Sequence, residues 1–161
     1  MFLRSLLAAL DSDSIRYCIV GGLAVNLHGI PRATYDVDLV VVRERAELER
    51  LEQVLRRLGL TPRIPVSLSG FSDAAYCEQM RTERNLIAVT FTNAAKPLEE
   101  VDVLVSPTLD PNDIVARAIV RESGDLRARV ACVDDLIAMK RATGREQDAR
   151  DVEHLERLRG T

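Results

Sequence analysis

The sequence predicts an α/β fold in which a mixed β-sheet is flanked by helices. Strand-like apolar runs alternate along the chain with stretches in which leucines recur at helical spacing. Two strand-like runs, 86–92 and 100–105, are separated by a short turn and predict an antiparallel hairpin. Because strand–helix alternation favours parallel pairs and a hairpin requires an antiparallel one, the sheet is expected to be mixed.

Length and composition indicate an ordinary globular protein. At 161 residues, the chain is expected to form one domain, 1–161, with the C-terminal helices at 134–159 packed on it. A net charge of −3 argues against a general, sequence-blind nucleic-acid binder. The first apolar run is too short for a membrane segment, so no membrane contact is expected. Three isolated cysteines favour a reducing compartment, and a cytoplasmic location is expected.

The first part of the chain alternates helix, strand, helix and strand. Apolar residues at helical spacing predict a first helix, and the run 17–20 predicts a buried strand that stops at Gly21-Gly22. One or two helical turns follow, and then a turn at 29–31. The next strand is expected to carry Asp36 and Asp38 on its first residues. A helix over 44–59 then ends near Gly59.

The second part continues the alternation. Prolines 62 and 65 confine any strand over 61–68 to a sheet edge, and 72–84 is expected to be loosely helical. After the hairpin, Asp110-Pro111 predicts the start of a helix that runs through Ile119. A short strand over 127–132 is followed by a helix that Asp134 or Asp135 caps. Gly144 separates that helix from the last one.

Three aspartates make the strongest chemical signal. Asp36 and Asp38 share one face of a strand, roughly 6–7 Å apart, and two such carboxylates repel each other unless a cation lies between them. Asp102 lies in an apolar strand, which is costly unless it is paired or metal-bound. If the two strands are neighbours, the three acids predict a site for two divalent ions, the recurring device of in-line phosphoryl or nucleotidyl transfer.

The remaining candidates each have a plainer interpretation. Gly21-Gly22 could admit phosphate oxygens to the backbone or could form only a tight turn. Arg32 could contact a phosphate, or it could pair with Asp36 or a neighbouring acid. His28 is expected to be structural. Lys140 could be no more than a solvated lysine near a helix end, and its substitution is expected to change fold stability little. Residues 145, 148 and 151 are expected to form weak surface ion pairs.

These motifs resemble those of a known superfamily. Gly21-Gly22-x-Ala24, His28-Gly29, Arg32-x-Thr34 and Asp36-x-Asp38 are similar to the nucleotidyltransferases that include DNA polymerase beta. They resemble most the small bacterial branch of abortive-infection toxins of type IV toxin–antitoxin systems, as does the C-terminal run 134–155. The superfamily commonly has Gly-Ser where this chain has Gly21-Gly22, and the missing hydroxyl would remove a phosphate or metal contact.

The resemblance implies a nucleotidyltransferase-like fold and a role for each motif. Mg²⁺, in two ions, or Mn²⁺ would be held by Asp36, Asp38 and Asp102, which are also the catalytic residues. The implied nucleotide-binding residues are Gly21, Gly22, Arg32, Thr34 and Lys140. The enzyme would move a nucleoside monophosphate from an NTP to an acceptor hydroxyl and release pyrophosphate.

The partners implied are an NTP, an acceptor and a cognate antitoxin. The acceptor would be a tRNA or a protein, or else a small molecule. The alternatives are an antibiotic-modifying nucleotidyltransferase and a catalytically silent binding partner. A silent copy would have no reason to keep three costly acids together.

Overall fold

A computed structural model describes residues 2–160, and Met1 and Thr161, which the single-domain expectation includes, lie outside that range. Within it, seven α-helices flank a seven-stranded mixed sheet, which confirms the predicted fold class. The helices are α1 (Phe2–Ser12), α2 (Gly21–Leu27), α3 (Arg45–Arg57), α4 (Ala74–Arg84), α5 (Pro111–Ala116), α6 (Val133–Thr143) and α7 (Glu146–Arg159). The strands are β1 (Tyr17–Val20), β2 (Val37–Val41), β3 (Thr61–Pro62), β4 (Ala88–Asn93), β5 (Lys96–Leu104), β6 (Ile119–Ser123) and β7 (Leu126–Val130).

The sheet has the order β3-β4-β5-β2-β1-β7-β6. The pairs β2–β5 and β1–β7 are parallel, and all other neighbouring pairs are antiparallel. The central strands β1 and β2 are almost wholly apolar and buried, with Cys18, Ile19, Leu39 and Val40 inaccessible to solvent. This core fixes the place where β1 ends and β2 begins, which is where the glycine pair and the first two aspartates occur.

The region after α5 differs from the sequence prediction. The predicted helix through Ile119 is wrong, because α5 ends at Ala116 and Ile119 instead begins β6. Strands β6 and β7 form a hairpin whose turn contains Gly124 at φ +61°, and Ile119 pairs with Val130. The strand predicted over 127–132 is therefore half of a hairpin rather than an isolated strand.

The start of α6 also differs. Neither Asp134 nor Asp135 caps this helix, because the N-cap residue is Cys132. Asp135 is buried and accepts three hydrogen bonds from the Arg117 guanidinium, at 3.0–3.2 Å. The helix ends as predicted at Gly144, whose φ of +64° is a conformation that glycine adopts without strain.

The helices are short and pack against the core. The longest helix of the described range, α7, has 14 residues. None of the helices within residues 2–160 combines the length and the apolar composition needed to cross a membrane.

A buried glutamate joins α3 to the chain that enters β1. Glu47 is 1% exposed, accepts a hydrogen bond from the Arg16 backbone N–H, and forms ion pairs with the Arg16 and Arg50 guanidinium groups. A carboxylate at this depth is stable only while these donors remain.

We expect Glu47→Ala to lower the free energy of unfolding by about 2–3 kcal/mol, because it leaves the Arg16 N–H without an acceptor. Glu49→Ala on the same helix is the control, since Glu49 is exposed and lies 3.9 Å from Arg45; it should change stability by less than about 0.5 kcal/mol. Urea denaturation measures both, and equal small effects would mean that Glu47 is dispensable.

Candidate active site

Four residues lie side by side across the middle of the sheet. Val20 pairs with Asp38, Asp38 pairs with Asp102 on the parallel neighbour β5, and Asp102 pairs with Thr90 on β4. Paired residues on neighbouring strands point to the same face, so the two carboxylates stand next to each other. The Thr90 hydroxyl donates a hydrogen bond of 2.6 Å to Asp102 Oδ1 and orients it.

All of the predicted site residues line one cleft of about 970 Å³. Asp36 is exposed and precedes β2 by one residue, so the prediction that it lies on the strand itself is wrong by one position. The eight predicted residues in this cleft are Gly21, Gly22, Arg32, Thr34, Asp36, Asp38, Asp102 and Lys140. The cleft has the size of a site for a small-molecule ligand or cofactor.

The electrostatic environment of Asp38 is strongly perturbed. Burial, together with the negative charges of Asp102 and Asp36, raises the pKa of this carboxyl to about 6, against the opposing effect of Lys140 and Arg32. Among residues 2–160, no salt bridge involves any of the three aspartates. These three aspartates, Asp36, Asp38 and Asp102, are called the acid row below. The acid row therefore carries negative charge that no cationic side chain of the described residues neutralises by contact.

Gly21 and Gly22 allow the backbone between β1 and α2 to lie directly against the acid row. Gly21 has a φ of +66°, and a Cβ built there would lie 1.9 Å from Asp38 Oδ2. No other residue type fits that position, because both the backbone conformation and the space require glycine. Gly21 and Gly22 form the first residues of α2, so the predicted helical turns begin earlier than expected.

Lys140 is buried in an ion network between α6 and α7. The Nζ atom donates to Asp148 Oδ1 at 3.1 Å and to Asp151 Oδ2 at 2.6 Å, and the three residues are 3–6% exposed. The alternative of a solvated lysine is therefore wrong. The prediction that the acids at 148 and 151 form weak surface pairs is also wrong, since α7 turns both inward.

Two further cations complete this network. Arg145 Nε donates to Asp148 Oδ2 at 3.0 Å, and the Arg32 guanidinium pairs with Asp151. Burial alone would raise the pKa of Asp148, but the hydrogen bonds from Thr143 and Lys140 lower it. Arg32 thus pairs with a neighbouring acid, as one alternative predicted, although that acid is Asp151 rather than Asp36.

His28 has the structural role expected of it. Its Nε2 atom donates to the Ala131 carbonyl at 2.8 Å, and its Nδ1 atom accepts from Arg121 at 3.2 Å. Burial lowers the pKa of His28. The residue therefore joins the end of α2 to the β6–β7 hairpin and takes no part in the cleft.

Sequence reasoning missed several residues of the cleft. Arg81 and Asn85 also line the cleft, and Asp148 lies beside Lys140. Thr90 was also missed as the partner of Asp102. A threonine in a strand of alternating pattern is the only available signal, and it becomes informative once the strand register is known.

The donor chemistry of the acid row fits a hard divalent cation. Among residues 2–160, no three His, Cys, Asp or Glu side chains are arranged to hold a metal ion by themselves. Mg²⁺ is commonly bound by one or two carboxylates together with substrate phosphates and water, so a complete protein cage is not required. The raised pKa of Asp38 supports the fit, because a cation would relieve the repulsion that raises it.

Comparison with known families assigns the chain. The profile of the family described as "Nucleotidyl transferase AbiEii toxin, Type IV TA system" matches residues 4–157. The chain belongs to the AbiEii family. It is therefore an NTP-dependent enzyme of the nucleotidyltransferase class, and the predicted resemblance is confirmed. No curated protein sequence matches it significantly.

Solved structures share the AbiEii chain's fold at low sequence identity. The lincosamide antibiotic adenylyltransferase LnuA, in its lincomycin-bound form, is 13% identical with a TM-score of 0.63, covering 96% of this chain and 94% of its own. The antibiotic-resistance factor ANT(2'')-Ia is 16% identical with a TM-score of 0.61, covering 96% and 80%. A nucleotidyltransferase-like protein from Paracoccidioides brasiliensis is 20% identical with a TM-score of 0.57, covering 97% and 74%. At these identities, the likeness establishes the fold.

We expect Asp38→Asn to stabilise the metal-free AbiEii protein at pH 7. A carboxyl whose pKa rises from near 3.8 to about 6 on folding makes the free energy of unfolding fall as pH rises between those values. The full cost, at most about 3 kcal/mol, applies above pH 6, and asparagine removes it.

Thermal unfolding in EDTA at pH 4 and pH 7 measures this effect. The difference from wild type should be small at pH 4 and clear at pH 7. Asp11→Asn is the control, because Asp11 is an exposed acid of α1. A lower melting temperature for Asp38→Asn at pH 7 would show that the Asp38 carboxylate is a structural acceptor instead.

We expect Lys140→Met to destabilise the fold by about 3 kcal/mol, because it leaves Asp148 and Asp151 buried with less compensating charge. This replaces the sequence-based expectation of little effect on stability. The adjacent Arg141→Met is the control, since Arg141 is exposed and pairs with Glu156; it should cost less than about 1 kcal/mol. Urea denaturation of both variants measures these effects. Equal shifts of the two unfolding midpoints would contradict a stabilising role for the Lys140 network.

Proposed function

We propose that this AbiEii protein transfers a nucleoside monophosphate from an NTP to an acceptor hydroxyl with the help of divalent metal ions. The observation that supports the proposal is the acid row, in which Asp38 and Asp102 are in register on adjacent strands and Asp38 has a pKa near 6. Perturbed carboxylates in a cleft are typical of functional sites.

The bond changes follow from the reaction class. The acceptor oxygen forms a bond to the α-phosphorus, the bond from that phosphorus to the bridging oxygen breaks, and pyrophosphate leaves while the acceptor proton passes to water. Mg²⁺ or Mn²⁺ ions, when bound, supply Lewis-acid stabilisation and lower the pKa of the acceptor hydroxyl. Asp36, Asp38 and Asp102 would hold them.

The other cleft residues would bind and orient the triphosphate. Gly21 and Gly22 carry no side chain, so their backbone N–H groups are accessible to phosphate oxygens. The Lys140 ammonium has three N–H donors, of which Asp148 and Asp151 use two, so the third can serve a phosphate oxygen. Arg32 pairs with Asp151 and would act mainly by positioning that network.

The acceptor is proposed to be a tRNA or a protein, since the family is one of toxins. The family description also supports a cognate antitoxin as a partner. An antibiotic acceptor rests on the fold shared with LnuA and ANT(2'')-Ia alone, and it is the second candidate. A cytoplasmic location is part of the proposal, because the NTP pool is there.

The test is a transfer assay with each of the four α-labelled NTPs and Mg²⁺. Total tRNA, cell extract, lincomycin and an aminoglycoside are offered in turn as acceptors, and labelled acceptor and pyrophosphate are both measured. Asp38→Asn and Asp102→Asn should each lower the rate about a hundred- to a thousandfold, because each removes a carboxylate that would hold the metal ions that stabilise the transition state.

Asp11→Asn should retain the wild-type rate. Labelling that persists in both acid variants, or in EDTA, would contradict the metal-dependent mechanism. Labelling of an antibiotic, without any labelling of RNA or protein, would favour the second candidate.

A further inference from the structure

The two adjacent glycines of the cleft have different reasons to be glycine. Gly21 needs a positive φ, whereas Gly22 has an ordinary backbone conformation that any residue adopts. A Cβ built on Gly22 would lie 2.8 Å from Thr34 Oγ1, 3.1 Å from Thr34 Cβ and 3.2 Å from Arg32 Cζ. The Thr34 side chain therefore fills most of the space that a side chain at position 22 would occupy, with the end of Arg32 beside it.

The segment that carries Thr34 is fixed in this position by Asn26. The Arg32 backbone N–H donates to Asn26 Oδ1 at 2.7 Å, and Asn26 Nδ2 donates to the Arg32 carbonyl at 2.6 Å. These two hydrogen bonds hold the segment two residues before Thr34 against α2. Thr34 consequently approaches Gly22 as part of a constrained loop.

The Thr34 hydroxyl faces the site without a partner of its own. It is half-buried and lines the cleft together with Gly21, Gly22, Asp36 and Asp38. No hydrogen bond within residues 2–160 involves this hydroxyl, although the threonines at 82, 90 and 143 each bond to a protein oxygen. A hydroxyl held in place and left unpaired is suited to bond a ligand.

We propose that the Thr34 hydroxyl donates a hydrogen bond to a non-bridging oxygen of the NTP triphosphate, and that position 22 is glycine in order to admit this hydroxyl. The inference rests on the proposed function, because it takes the triphosphate to lie beside the acid row. It assigns a specific atom to the contact, and it couples two positions twelve residues apart in sequence. Thr34 thus supplies a hydroxyl at the place where Gly22 has no side chain.

The coupling makes substitutions at the two positions interdependent. Gly22→Ala would displace the hydroxyl and offer none in return, so it should weaken binding about as much as loss of the hydroxyl itself. Thr34→Ala removes the hydroxyl and the methyl group but keeps the Cβ, and in that background Gly22→Ser would place a new hydroxyl in the space that the lost atoms leave. That second change should restore part of the affinity that Thr34→Ala removes.

The test is calorimetric titration with the four NTPs that carry a methylene bridge between the α- and β-phosphates, in the presence of Mg²⁺. Thr34→Val should weaken binding roughly ten- to a hundredfold, the effect of losing a hydrogen bond to a charged group, whereas Thr34→Ser should stay within about threefold of wild type. Thr61→Val is the matched control, since Thr61 lies on the edge strand β3, outside the cleft.

The outcomes separate the inference from the function on which it rests. The role of the hydroxyl would be overturned if Thr34→Val bound the analogues with the same affinity as the wild type. It would also be overturned if Thr34→Val and Thr34→Ser lost equal amounts of affinity. Failure of the wild type to bind any of the four analogues would instead overturn the proposed function, and this inference with it. If thermal unfolding shows that Thr34→Val does not fold, Thr34→Ala is compared with and without Gly22→Ser. Recovery of affinity on adding Gly22→Ser supports the role of the hydroxyl, and no recovery overturns it.

Discussion

The repulsion between Asp38 and Asp102 is the constraint on which the rest of the site depends. The parallel register of β2 and β5 brings the two carboxylates side by side, with Asp36 one residue before the start of β2. Burial and this repulsion raise the pKa of Asp38 to about 6, so the arrangement costs folding free energy near neutral pH. Such a cost persists where the surrounding core fixes the geometry, and here the buried strands β1 and β2 do so.

The C-terminal helices supply part of the compensation. The positive charges of Lys140 and Arg32 oppose the rise in the pKa of Asp38, although neither residue contacts it in a salt bridge. Asp151 of α7 pairs with both cations, and Asp148 of the same helix also pairs with Lys140. The last two helices therefore complete the electrostatics of a cleft whose acids come from the sheet, in keeping with a family match that extends to residue 157.

The sequence predicted the fold class and the acids, because periodicity and isolated charges are local signals. It could not predict which residues neighbour the acids, because those neighbours depend on register. In the β4–β5 hairpin, Asn93 pairs with Lys96, but a bulge shifts the register so that Thr92 pairs with Glu100. A regular hairpin would have placed Glu99 opposite Thr90, whereas the bulge places Asp102 there. The burial of Lys140 was also hidden, since its acidic partners lie eight and eleven residues away on another helix.

The charges around the cleft bear on how metal and nucleotide can bind together. Within residues 2–160, the three aspartates have no salt-bridge partner, while the cations nearest to them already serve Asp148 and Asp151. A triphosphate is itself strongly anionic, so its approach to the acid row without cations would add repulsion to a site that already contains it. Cations between the acid row and the triphosphate would be bound by the oxygens of both.

The metal ions and the nucleotide are therefore expected to bind with positive coupling, because each would improve the site for the other. This coupling is reciprocal by thermodynamic linkage. Within residues 2–160 no three side chains form a metal cage by themselves, and under the proposed function the remaining ligands would be oxygens of the substrate and of water.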